Sequence, residues 1–295
     1  MSRPPDTSRF PPGTTVTVPG VGPTFVRLGA GPTDAPTVLL LHGWTSTADI
    51  TWAGAYPALA GRFPLVAPDL RGHGGGPRGG RPDGIGVIAR DVAALLETLA
   101  VGPCIVAGYS SGGAVAQLLA RERRDLVAGL VLGASAHRLA RTVPEHLRLA
   151  ALRAAAGLAW ALPDAIPKAI GLAVLRVLYG NDELQRWVRA GARRHRWADV
   201  LALGGALDAF DSRGWVHEVD VPAAVVLTEG DSYVAPARQF ELAAALGAEI
   251  FPIAGDHGVC LGRPGEFGSV VLAACRHVAE RAGEPDHDAT MPAGR

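Results

Sequence analysis

The chain has 295 residues, 48% apolar and 19% charged, which suffices for a large buried core and excludes a wholly disordered polypeptide. Lys plus Arg number 28 and Asp plus Glu number 28, so the formal net charge is zero. No overall basic excess exists to drive nucleic-acid binding or attraction to an anionic membrane.

Cys104, Cys260 and Cys275 have neither paired nor metal-ligand spacing. No disulfide framework, metal centre or cofactor is expected from them. The opening MSRPPDTSRFPPG lacks the apolar stretch of a secretory signal, and nowhere do 18 apolar residues run together. The expectation is a cytoplasmic chain without a transmembrane segment.

Residues 1–13 are Pro-rich and polar and predict a disordered tail, as does GEPDHDATMPAGR at 283–295. Between them, β-branched and apolar runs predict strands at Thr15–Val18, Thr24–Leu28, Thr37–His42, Leu65–Ala67, Cys104–Gly108, Val127–Leu132, Ala224–Thr228 and Glu249–Ile253. Runs such as TVLLLHG and AAVVLTEG are apolar throughout, as strands covered on both faces are. Helices fit the intervals at 53–61, 87–100, 112–123, 236–246 and 265–281. In the second, Ile88, Val92, Leu95, Leu96 and Leu99 recur at helical spacing. The alternation predicts an α/β fold with a doubly wound sheet.

Residues 136–215 break the alternation. They are rich in Leu, Ala, Arg and Trp, contain no convincing strand, and carry Pro163 and Pro167 near the middle. This reads as a helical insertion. At the carboxyl ends of the strands, where such sheets bind ligands, it would form a lid. Its apolar side chains, Leu147, Leu149, Leu152, Leu158, Trp160, Leu162, Ile166, Ile170, Leu172, Val174, Leu175 and Leu178, would line an acyl pocket or pack against the core.

The sharpest local motif is Gly108-Tyr109-Ser110-Ser111-Gly112-Gly113, placed between the strand CIVAG and the helix AVAQLLARER. A Gly-x-Ser-x-Gly turn needs small flanking residues because its backbone is tightly bent, and it projects the serine at the sheet edge. A serine hydroxyl needs an adjacent base. Of nine histidines, His257 lies just past the last predicted strand, in AGDHGVCLGRP. His42 and His73 occupy Gly-flanked turns, where a structural hydrogen bond is the simpler reading. Asp231 directly follows the strand AAVVLTEG and is placed to orient the base. Glu229 still belongs to that strand, and Asp256 is a chain neighbour of His257. The order Ser110, Asp231, His257 agrees with one of the three known orders of such triads.

Taken together, His42-Gly43-Trp44, Pro68-Asp69-Leu70-Arg71-Gly72-His73-Gly74, the Ser110 turn, Gly230-Asp231…Val234…Pro236 and Asp256-His257 resemble the α/β-hydrolase superfamily over about residues 14–282. The resemblance implies a mostly parallel eight-stranded sheet, with the core at 14–135 and 216–282. It implies a helical cap at 136–215, between the sixth and seventh strands. It also implies an oxyanion hole formed by the backbone amides of Trp44 and Ser111, and a structural role for Pro68–Gly74. The extension Gly75–Gly80 reads as a flexible loop. The serine argues against relatives that use an aspartate nucleophile, the haloalkane dehalogenases and epoxide hydrolases. The expected activity is hydrolysis of a small-molecule ester bearing an apolar acyl or alcohol group. A thioesterase, perhydrolase, carbon–carbon hydrolase or acyltransferase would use the same triad, and a ligand-sensing protein would use the same fold.

Overall fold

The apolar runs become the centre of one eight-stranded sheet in the computed structural model, which describes residues 3–79, 84–179 and 182–283. The strands are β1 (Gly13–Val18), β2 (Gly22–Gly29), β3 (Val38–Leu41), β4 (Leu65–Pro68), β5 (Cys104–Tyr109), β6 (Val127–Gly133), β7 (Ala223–Thr228) and β8 (Glu249–Ile253). Their order is β1-β2-β4-β3-β5-β6-β7-β8. β2 runs antiparallel to β1 and β4, and the remaining pairs are parallel.

The helices are α1 (Ala48–Trp52), α2 (Tyr56–Leu59), α3 (Gly86–Thr98), α4 (Ser111–Glu122), α5 (Val143–Ala161), α6 (Ala165–Tyr179), α7 (Glu183–Ala192), α8 (Trp197–Ala206), α9 (Pro236–Leu246), α10 (Val259–Gly262) and α11 (Pro264–Ala282). They cover both faces of the sheet because strand side chains alternate. Leu39, Leu41 and Val106 pack with Ile88, Val92 and Leu96 of α3 and Val115 and Leu119 of α4. The intervening Val38, Leu40, Ile105 and Ala107 pack instead with Trp52, Tyr56 and Phe267.

The predicted helix 53–61 is two short helices displaced toward the N-terminus. Thr47 Oγ1 accepts from the Ile50 amide and starts α1 early. Gly54 lies so close to α11 that a Cβ there would sit 2.3 Å from the Pro264 carbonyl oxygen, and the helix breaks at this contact. The expected disorder of residues 1–13 fails from Asp6 onward. Asp6 caps a 3-10 turn at Thr7–Arg9, and the buried Phe10 ring stands edge-on to Tyr56 at 5.2 Å. The expected flexibility of Gly75–Gly80 fails at its start, because Gly75 donates to Asp69 and Gly76 donates to the His73 carbonyl. Gly80 and the tail 284–295 lie outside the described residues.

Helices α5 to α8 fill the interval between β6 and β7. Its two ends meet at an antiparallel bridge, Arg138 with Asp211, and at a hydrogen bond from the Ser212 amide to the His137 carbonyl. Gln117 of α4 joins them, donating to Ala136 and accepting from Ser212 Oγ. At the start of α5, Thr142 and Glu145 form a reciprocal cap. Glu145 also receives Arg238 of α9 at 2.8 Å, tying the inserted helix to the core.

Burial works against the charge of Glu145. The amides of Arg141 and Thr142 and the Arg238 guanidinium outweigh it and bring the carboxyl down to about 2. A carboxyl held below its unfolded value stabilises the fold fully above about pH 4.5, and that contribution is lost as pH falls through about 2. Glu145→Gln is therefore expected to cost about 1 kcal/mol at pH 7. In thermal melts, the gap from the wild type should close as the pH approaches 2. A gap independent of pH would show that the carboxylate charge is not the anchor.

Candidate active site

Parallel pairing sets the site. Leu41 of β3 pairs with Gly108 of β5, and Tyr109 pairs with Gly133 of β6, so the carboxyl ends of the three strands lie side by side. The His42-Gly43-Trp44 loop therefore leaves the sheet directly beside Ser110. A Cβ placed on Gly43 would lie 3.3 Å from Ser110 Cβ.

Ser110 adopts φ 54° and ψ −121°, a conformation that costs a side-chain-bearing residue about 1–3 kcal/mol unless its surroundings enforce it. The surroundings do so. A Cβ at Gly108 would meet the Gly112 carbonyl oxygen at 2.5 Å, and one at Gly112 would meet the Leu41 carbonyl oxygen at 2.3 Å. The Ser110 amide is held by the Gly133 carbonyl at 2.8 Å. Ser111 opens α4, so its amide belongs to the helix N-terminal turn, whose donors have no intrahelical acceptor.

The three residues singled out from sequence meet in one hydrogen-bonded chain. Ser110 Oγ lies 2.9 Å from His257 Nε2, and His257 Nδ1 lies 2.7 Å from Asp231 Oδ2. Asp231 is buried and fully bonded. Its Oδ2 also accepts from Thr228 Oγ1 at 2.9 Å, and Oδ1 accepts from the amides of Tyr233 and Val234. Burial opposes its charge, but His257, the Val234 amide and the Thr228 hydroxyl hold the carboxyl below its ordinary value. The Asp231 and His257 loops are joined directly, because Gly230 donates to the Gly255 carbonyl at 2.8 Å. Glu229 is spent on the sheet, its amide donating to Ile253.

Several partners of this chain carried no sequence signal of their own. Tyr109 Oη donates to the His257 carbonyl, and the exposed Tyr233 ring lies 5.4 Å from the imidazole. Thr228 was legible only as the last residue of a strand.

Three other histidines form a separate stack. The rings of His42, His73 and His195 follow one another at 5.2 Å per step, edge to face. His42 accepts from the Leu70 amide, His73 from the Thr45 amide and His195 from the Gly74 amide. Burial brings each imidazole down to about 3, so all three are neutral acceptors at neutral pH. The structural reading of His42 and His73 thus holds. His195, contributed by the insert, was not foreseen because its partners are more than a hundred residues away in sequence. Asp69 likewise braces loops, accepting from the Ala48 and Gly75 amides. The Trp44 side chain donates to the Val200 carbonyl of α8 at 2.7 Å, a second tie between the His42–Trp44 loop and the insert.

All three cysteines are buried and unpaired. Among the described residues, no group of three or more His, Cys, Asp or Glu is placed to hold a metal ion, and no helix is long and apolar enough to cross a membrane.

Residues 36–172 match the family model of the alpha/beta hydrolase fold. Over 205 residues the chain is 33% identical to a pimeloyl-[acyl-carrier protein] methyl ester esterase of Neisseria meningitidis, covering 68% of this chain and 77% of that protein. It is 43% identical over 102 residues to lipase LipV of Mycobacterium tuberculosis, covering 35% of this chain and 38% of the lipase. Several further curated relatives are also matched over only about 38% of their own length. A thermophilic esterase from Thermogutta terrifontis superposes with a TM-score of 0.73 at 21% identity, over 91% of this chain and 99% of that one. The chain belongs to the α/β-hydrolase superfamily.

The Ser110 turn has no spare volume. Gly112→Ala is expected to cost about 3 kcal/mol or more, because its Cβ would meet backbone rather than a movable side chain. Urea unfolding measures this directly. A cost below about 1 kcal/mol would show slack in the turn.

Proposed function

We propose that the chain is a serine hydrolase that cleaves a carboxylic ester with an apolar acyl or alcohol group through an acyl-enzyme intermediate. The observation that carries this reading is the unbroken chain Ser110–His257–Asp231 at a strained strand-to-helix turn. Esterase and lipase relatives support the ester as substrate. The inward-facing apolar residues of the insert, Leu149 against the core and Leu152 with Trp44 over Gly204, support its apolar group.

His257 Nε2 takes the proton from Ser110 Oγ as that oxygen attacks the ester carbonyl. The tetrahedral oxyanion rests on the backbone amides of Trp44 and Ser111. His257 then passes the proton to the departing alkoxide, which leaves as the alcohol. Water enters, gives a proton to His257 and attacks the acyl carbon. The proton returns to Ser110 as the carboxylic acid leaves. Asp231 remains ionised throughout. It holds the Nδ1–H tautomer, which leaves Nε2 free to accept, and stabilises the transient imidazolium.

Ser110→Ala is expected to lower turnover of p-nitrophenyl esters by about 10⁴-fold, and Asp231→Asn by a similar factor, with both proteins folded. An acetate-to-laurate series measures this and sizes the acyl group. Ser110→Ala turning over esters at the wild-type rate would overturn the nucleophile. Absence of both ester turnover and fluorophosphonate labelling of Ser110 in the wild-type protein would overturn the enzymatic reading.

A further inference from the structure

We infer that the outer faces of α5 and α6 form a docking surface for an anionic lipid bilayer. Their apolar pattern is inverted. In α6 the buried positions are Pro167, Gly171 and Leu175, whereas Ile166, Ile170, Val174 and Val177 face solvent, Val177 at 83% exposure. Steps of four, four and three residues place those four side chains on one side of the helix. In α5, Ala156 and Ala159 face inward, while Leu147 and Leu158 are each 65% exposed. Eleven residues separate these two leucines, three turns along a single face.

Close packing produces the inversion. A Cβ at Gly171 would lie 2.4 Å from the Trp197 ring, so only a small residue fits on the inner side of α6. Where α5 crosses α8, a Cβ at Gly205 would lie 2.9 Å from the Arg153 backbone nitrogen. Unlike Leu149 and Leu175, the residues Leu147, Leu158, Ile166, Ile170, Val174 and Val177 therefore do not pack on the core. They spread over the outside of the insert, where an apolar surface of this extent marks a contact with something else.

Charge selects what that is. Residues 136–215 carry twelve Lys and Arg against seven Asp and Glu, while the whole chain is balanced at 28 each. The zero net charge of the chain conceals a basic insert. Arg176 stands exposed on α6 at the edge of the apolar stripe, and the exposed Arg148 stands on α5 beside Leu147. Long cationic side chains flanking an apolar face bury their stems at the interface and reach lipid phosphates with their heads. A second copy of the chain would bring two basic faces together, which disfavours self-association through this surface. The contact is peripheral, since no helix among the described residues is built to span a bilayer.

The inference goes beyond the ester-hydrolase reading and is tested without it, by flotation of the full-length Ser110→Ala protein. The probe is vesicles of equal parts phosphatidylcholine and phosphatidylglycerol at low ionic strength. The protein is expected to float with them and to dissociate in pure phosphatidylcholine or in high salt. Ile170→Glu combined with Val174→Glu should lower the bound fraction at least about tenfold. Both side chains are solvent-facing, so an unchanged melting temperature is the control for folding. If that double variant is unfolded, Arg148→Glu with Arg176→Glu tests the same surface and should reduce binding to the anionic vesicles. The inference is overturned by absence of flotation, by equal flotation of a folded variant, or by a dimer in size-exclusion chromatography that the substitutions at 170 and 174 dissolve.

Discussion

The close approach of three backbones around Ser110 governs the rest of the site. The end of β3, the end of β5 and the first turn of α4 meet within van der Waals distance, and each contact excludes a side chain. With Gly108 and Gly112 filling that space, the chain reverses at Ser110 only through a positive φ. The strain is local, and the sheet on both sides fixes it through the Gly133 carbonyl and the Leu41–Gly108 pairing. The same geometry that stores strain aims Oγ out of the sheet and leaves helix amides beside it. The positions of the proposed nucleophile and of the proposed oxyanion donors are thus consequences of one packing constraint rather than separate arrangements.

The second layer of order is carried by neutral histidines. Each ring of the His42–His73–His195 stack accepts from a loop amide, and each belongs to a different loop or to the insert. Protonation would remove the acceptor and place like charges 5.2 Å apart, which is why burial and mutual repulsion both favour the neutral form. The stack fixes the Thr45 amide, and Thr45 follows Trp44 directly. The insert reaches the same loop through His195, through Val200 and, by way of Arg194, through the buried Asp69 carboxylate.

Much of this was legible in the sequence, and the parts that were not have a common cause. Eight strands could be read because apolar runs bounded by turn residues are a local signal, and Ser110, Asp231 and His257 could be read because each lies just past one. The break between α1 and α2 depends on Gly54 meeting a carbonyl of α11 over two hundred residues away. The ordering of Phe10 depends on a partner on α2. His195 is indistinguishable in sequence from His146 or His217, since its function in the fold is defined by Gly74 and Thr45. In each case a tertiary contact overrides what a window of neighbours implies. The insert misled most, because apolar residues at helical spacing announce a buried face without saying which side of the helix is buried.

That ambiguity bears on how the insert relates to the site. Small residues at its internal crossings let α5 and α8 approach closely, while its ties to the hydrolase core run through Trp44, Thr45 and Asp69 and, at α5, from Glu145 to Arg238. The hydrogen bonds from α8 and His195 thus end on the two residues that follow Gly43, the first of them the proposed source of one oxyanion donor. Coupling of the insert to that loop requires no new site. It requires only that the insert move as a body and that its attachment be made of hydrogen bonds to the loop beside Ser110. The second condition is met by the bonds from Trp44 to Val200 and from His195 to Thr45 and Gly74.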